Sequence, residues 1–157
     1  MKDYKILVIN PGSTSTKLSL FINENNQFIT DVFHDSSVLK KFKTINDQLE
    51  YRMEVLNQFI KENHIDLSDL DAIAPRGGAS YPVASGTYEV TDQLIQDTKE
   101  AKGGLYHSSM LGVQMAKCVQ EIYGGKIYMS DPTVVDEYSD LARVTGIDGI
   151  YRKAICH

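Results

Sequence analysis

Cysteine is scarce in this chain, and long apolar runs and clusters of positive charge are missing altogether. Its two cysteines, Cys118 and Cys156, show neither metal-binding nor redox spacing, which argues against a thiolate metal site or a dithiol motif. Cys118 falls on the apolar face of an expected helix and reads as a core thiol. No apolar stretch approaches the roughly 18 residues that a membrane-spanning helix requires. The run Met1-Lys2-Asp3-Tyr4 leads into an expected strand at once rather than into a signal peptide. Lys and Arg number 16 against 21 Asp and Glu, a net charge of −5, and they form no patch. Neither nucleic acid nor membrane is therefore an expected partner. No internal repeat or low-complexity linker is visible, and the expected compartment is the cytoplasm.

What is present is enough for a core. The apolar share is 42% and the charged share 24% over 157 residues, a mid-range length for one domain. The most informative stretch lies near the start. Two aliphatic runs, Ile6 to Ile9 and Leu18 to Phe21, flank Asn10-Pro11-Gly12-Ser13-Thr14-Ser15-Thr16-Lys17. The runs read as buried strands and Asn-Pro-Gly as a tight turn, so together they predict a hairpin. Its tip gathers backbone N–H groups, four hydroxyls and a lysine, an inventory suited to oxygen-rich anions and to phosphates above all. It is not a Walker loop, because Thr16 rather than a glycine precedes Lys17 and a strand follows. A plain Ser/Thr turn is the competing reading.

Further elements follow in order. Phe28 to Phe33 predicts a third strand paired beside the second, with Asn23 to Asn26 as the turn. Ile45, Leu49, Met53, Leu56 and Ile60 recur at helical spacing over residues 45 to 62, from a start near Thr44. Asp71 to Ala74 predicts a short strand ending at Pro75, and Thr87 to Val90 another extended piece. Thr91 is the expected cap of a helix that stops at Gly103-Gly104. Ser108 or Ser109 would cap the next helix, with Leu111, Met115, Val119 and Ile122 as its buried stripe and Gly124-Gly125 as its end. Lys126 to Ser130 predicts a strand closed by Asp131-Pro132. An antiparallel opening with later crossovers fits an α/β fold: one half of an actin-like or ribonuclease H-like domain, a mixed sheet with flanking helices.

Several polar residues sit where such a sheet binds ligands. Asn10 closes the first strand, either as a turn starter or with its amide beside phosphates. Arg76 follows a strand and precedes Gly77-Gly78, where no Cβ obstructs a ligand and a guanidinium can grip two oxygens. A surface arginine in a loop is the duller alternative. His107 lies just ahead of an expected helix N-terminus, as either an anion donor or a solvated loop histidine. Asp131 ends a strand, at a catalytic position or in an ordinary Asp-Pro turn.

The motifs break these ties. Val8-Ile9-Asn10-Pro11-Gly12-Ser13-Thr14-Ser15-Thr16-Lys17 resembles the first signature of the acetate and butyrate kinases. Arg76-Gly77-Gly78 resembles the butyrate kinase substrate-arginine segment, although Pro75 departs from the small or polar residue expected before it. Tyr106-His107-Ser108-Ser109 is similar to the family's His-Ala-Ser-Asn stretch. Asp131-Pro132-Thr133-Val134-Val135-Asp136-Glu137 is similar to Asp-Pro-Val-Val-Val-Asp-Glu, and Arg152-Lys153-Ala154-Ile155-Cys156-His157 to Arg-Lys-Ser-Ile-Phe-His. The resemblance runs from Tyr4 to His157. It implies residues 1 to 157 are the N-terminal half of a two-domain kinase, with the adenosine pocket in the other half.

By that resemblance the reaction is phosphoryl transfer from ATP, with Mg²⁺, to butyrate or a branched short-chain acid. Arg76, His107 and Asp131 are the implied catalytic residues. Asn10, Gly12, Ser13, Ser15 and Lys17 would bind the nucleotide phosphates, Asn10 and Asp131 the metal, and Arg76, Gly78 and His157 the acid or the transferred group. Asp136 and Glu137 read as helix-start or surface acids. Gly78, where acetate kinases carry a bulkier aliphatic residue, implies a wider acyl pocket worth about 0.8 kcal/mol per added methylene, and Cys156 in place of Phe implies the same. A homo-oligomer is expected at full length, and an inactive fragment alone. Acetate or propionate kinase and a non-catalytic nucleotide-binding module are the alternatives.

Overall fold

A computed structural model describes residues 2–78, 81–102 and 106–154. The opening hairpin forms as expected, from β1 (Lys5–Pro11) and β2 (Ser15–Ile22). Their register pairs Asn10 with Lys17 and Pro11 with Thr16. Pro11 is thus the last strand residue, and the reversal is made by Gly12, Ser13 and Thr14, with Gly12 N–H donating to Ser15 O at 2.7 Å. The turn lies one step later than Asn-Pro-Gly suggested, since proline's fixed φ suits extended backbone at a strand end. The strand β3 (Asn25–Phe33) joins β2 through a tight turn in which Asn23 takes φ 54°.

A short helix α1 (Ser36–Leu39), absent from the sequence reading, is capped by Asp35, whose carboxylate accepts from Ser37 N–H. A 3₁₀ turn over Asn46–Gln48 then feeds α2 (Leu49–Glu62). Strands β4 (Ala72–Pro75) and β5 (Thr87–Glu89) follow. Thr91 caps α3 (Asp92–Lys99) as expected. That helix stops earlier than Gly103-Gly104, which lie outside the described residues. Ala101 takes φ 51°, and Lys102 N–H and Ala101 N–H return to the carbonyls of Asp97 and Thr98. Those paired bonds close the helix in a Schellman motif without a glycine.

The next helix, α4 (Leu111–Tyr123), is preceded by a 3₁₀ turn over Ser108–Met110. Leu111, Met115 and Val119 are buried as the stripe requires, whereas Ile122 is 60% exposed. Cys118 and Tyr123 pack against the core in its place. β6 (Lys126–Ser130) and a four-residue α5 (Asp140–Arg143) complete the elements.

The strands form one mixed sheet of order β3-β2-β1-β4-β6-β5, in which β1, β4 and β6 are parallel and the rest antiparallel. Leu7, Ile9, Leu18, Ile73 and Ile127 meet Leu56 of α2 and Leu111, Met115 and Val119 of α4 in one continuous core. β1 alternates between buried and half-buried residues instead of being enclosed on both faces. The three parallel strands therefore end together at one edge of the sheet, and that edge carries Asn10, Arg76 and Asp131.

Candidate functional site

At that shared edge the backbones pack without room for extra atoms. Arg76 N–H donates to Ile9 O at 2.8 Å, tying the end of β4 to the end of β1. A Cβ on Gly77 would stand 2.5 Å from Pro132 Cβ and 2.6 Å from Met129 Sδ. One on Gly78 would stand 2.7 Å from the N and Cα of Met110, and one on Gly112 only 2.4 Å from Arg76 O. Three segments, residues 76–78, 109–112 and 129–132, thus interlock where the sequence placed its candidates. The space freed at Gly78 is occupied by the Ser109–Met110 backbone rather than left open. The wider acyl pocket expected from that glycine is not built there, because its missing side chain serves a close chain crossing.

His107 caps the turn itself. Its Nδ1 accepts from Ser109 N–H at 3.2 Å and lies 2.9 Å from Ser109 Oγ. Ser108 and Ser109, the expected caps, are buried inside the turn instead. An imidazole whose Nδ1 accepts an amide proton carries its own proton on Nε2. The exposed ring therefore presents a donor outward.

Asp131 holds φ 40°, a left-handed conformation uncommon for a side-chain-bearing residue. Its Oδ1 accepts from Gly86 N–H at 2.7 Å, and its own N–H donates to Gly86 O at 3.0 Å. The second carboxylate oxygen has no hydrogen-bond partner among the described residues. Arg76 is exposed and pairs with no carboxylate among the described residues. The side-chain oxygen of Asn10 is buried without a hydrogen-bond partner. Leaving such an acceptor unpaired costs about 1–3 kcal/mol, so the atom is open to a water, an ion or a ligand group. Lys17 and Ser15 both lean towards Asp31 of β3, with Lys17 Nζ 3.7 Å from Oδ2 and Ser15 Oγ 3.5 Å from Oδ1. His157 and Cys156 lie outside the described residues.

Beneath the hairpin tip sits a polar layer that the sequence reading missed. Arg52 of α2 is fully buried, and its Nη1 and Nη2 donate to the carbonyls of Gly12 and Ser13 at 3.0 and 2.9 Å. Nε donates to Gln48 Oε1 at 3.1 Å. Burial pushes the Arg52 pKa down. Beside it, His34 is buried with Nε2 2.8 Å from Thr16 Oγ1, and its N–H donates to Thr14 O. Burial first, and the Arg52 charge second, lower its pKa to about 4. The signal was present in the helix pattern: residue 52 lies three after Leu49 and four before Leu56, on the apolar stripe.

A cavity of about 510 Å³ opens at the opposite edge, lined by Lys2, Lys5, Asp66 and Asp71 among others. Both of its lysines are paired, Lys5 with Asp66 at 2.8 Å and Lys2 with Asp71, while Asp3 and Asp69 add further negative charge to the lining. It lies by the amino ends of the parallel strands, where open α/β sheets do not place their ligands. Among the described residues no helix is long and apolar enough to cross a membrane.

The strand order and the edge site define the fold as actin-like. Solved relatives share it: an acetate kinase from Entamoeba histolytica superposes with a TM-score of 0.55 at 16% identity, covering 92% of this chain and 39% of that one. An acetate kinase from Porphyromonas gingivalis gives 0.51 at 14% identity, over 97% of this chain and 45% of that one. A Ppx/GppA phosphatase from Aquifex aeolicus gives 0.51 at 12% identity, over 83% and 54%. No protein-family model matches the chain.

Sequence similarity narrows the class. Over 154 residues, 98% of its length, the chain is 42% identical to a probable butyrate kinase 2 of Caldanaerobacter subterraneus. It is 38% identical over the same span to butyrate kinase 2 of Clostridium acetobutylicum. Across that stretch the chain is similar to butyrate kinases, and it spans 43% of the length of these curated relatives.

Proposed function

We propose that this chain is the phosphate-binding half of a two-domain kinase that transfers a phosphoryl group from ATP to butyrate or a related short-chain acid. The observation that carries the reading is the interlocking of residues 76–78, 109–112 and 129–132 beside the hairpin tip, in a chain related to butyrate kinases. A carboxylate is ionised at neutral pH and attacks without a general base. Rate then depends on alignment and on neutralising charge around an in-line phosphoryl group. Arg76 would hold the acid, and His107 would donate through Nε2 to an equatorial oxygen. The turn from Gly12 to Lys17 would hold the nucleotide phosphates.

The unpaired Asn10 oxygen and the free oxygen of Asp131 suit a hard cation that favours oxygen donors. Among the described residues no three His, Cys, Asp or Glu side chains gather as ligands, so nucleotide oxygens would complete the coordination. Magnesium, when bound, supplies charge neutralisation to those oxygens.

The test is acyl phosphate formation from ATP with acetate, propionate, butyrate and isobutyrate, in the full-length protein and in this chain alone. Turnover should favour the four-carbon acids and require full length. Asp131→Asn, which keeps an oxygen to accept from Gly86, should lose most of the rate while retaining nucleotide binding. Full-rate turnover by the 157-residue chain, or none with any acid at full length, overturns the proposal.

A further inference from the structure

A buried guanidinium normally faces a carboxylate. Arg52 is 0% exposed, and among the described residues it bonds only to two backbone carbonyls and the Gln48 amide oxygen. Burial pushes its pKa down, and it forms no salt bridge among the described residues. A cation taken out of water without a counter-charge is costly, and the cost falls when an anion comes near.

The carbonyls it holds fix the direction of the turn. In a trans planar peptide the C=O of one residue and the N–H of the next point opposite ways, and no peptide in the described chain is cis. With the Gly12 and Ser13 carbonyls drawn inward to Arg52, the N–H groups of Ser13 and Thr14 point outward. Both residues are exposed. Neither N–H has an acceptor among the described residues; the turn's backbone bonds are Gly12 N–H to Ser15 O within it and His34 N–H to Thr14 O from the end of β3.

We infer that Arg52 is the positioning cation of the turn: it orients the Ser13 and Thr14 amides towards a phosphate oxyanion, which in turn is its missing counter-charge. The inference rests on the phosphate-binding reading above and adds to it a residue 39 positions away in sequence from Ser13. Arg52 touches no ligand and acts through the loop, so lysine, which keeps the charge but lacks the fork, should replace it only in part.

The experiment is an amide NMR titration of the chain with inorganic tripolyphosphate, with thermal unfolding followed alongside. In the wild type the Ser13 and Thr14 amide signals should move most and the midpoint should rise with ligand. In Arg52→Met the affinity should fall by about tenfold or more and both signals should stop responding, as loss of a charged hydrogen-bonding group requires. Arg52→Lys should fall between. Gln48→Leu, which frees only Nε, provides a milder variant should Arg52→Met fail to fold, with a loss of about threefold expected. Wild-type affinity in folded Arg52→Met, or in both Arg52→Lys and Gln48→Leu, overturns the inference and leaves the phosphate reading standing. Silent Ser13 and Thr14 amides in the wild type overturn both.

Discussion

Lowering the pH from 7 towards 4 forces a choice on His34. The side chain is 4% exposed, its Nε2 bonds to Thr16, and its Nδ1 is buried without a partner. Burial and the neighbouring Arg52 charge bring its pKa from 6.5 to about 4. Above about pH 6.5 the imidazole is neutral in both folded and unfolded chains, and its surroundings contribute their full stability. Between there and about pH 4 the unfolded chain takes up a proton that the folded chain refuses, so stability falls as pH falls. Below that, both states are charged and no further loss follows. At 1.36 kcal/mol per unit, the interval corresponds to roughly 3 kcal/mol.

Urea unfolding of the wild type and of His34→Asn at a series of pH values isolates this contribution. The carboxylates titrate in both proteins and cancel in the difference. The wild-type advantage should shrink by roughly 3 kcal/mol between pH 7 and 4, whatever its offset at pH 7. Parallel curves, or an imidazole that titrates near 6.5 by NMR, would refute the buried polar layer beneath the turn.

Gly112→Ala places a Cβ 2.4 Å from Arg76 O, and Gly78→Ala places one 2.7 Å from the Met110 backbone. Each should lower the urea midpoint by an amount equivalent to about 1–3 kcal/mol. A neutral Gly78→Ala would restore the open acyl pocket. Lys17→Met removes an exposed pair with Asp31 at 3.7 Å, so unfolding stability should change by about 1 kcal/mol or less. Tripolyphosphate affinity, measured by calorimetry, should nevertheless fall; an unchanged value would remove Lys17 from the phosphate site.

Much of this protein was set by its amino-acid order. The hairpin, the stripe of α4 and the cap at Thr91 follow from periodicity and local hydrogen bonding, which operate over a few residues. The edge position of Asn10, Arg76 and Asp131 followed from strands ending where turn residues begin. Only the tertiary structure decided what those glycines are for and what supports the turn. Gly78 meets Met110 across the chain crossing, and Arg52 reaches Gly12 across 40 positions. Local patterns carry no record of such partners, because the contact exists only after the sheet has assembled. The same holds for Ala101, whose left-handed backbone ends α3 ahead of the glycines expected to mark its stop.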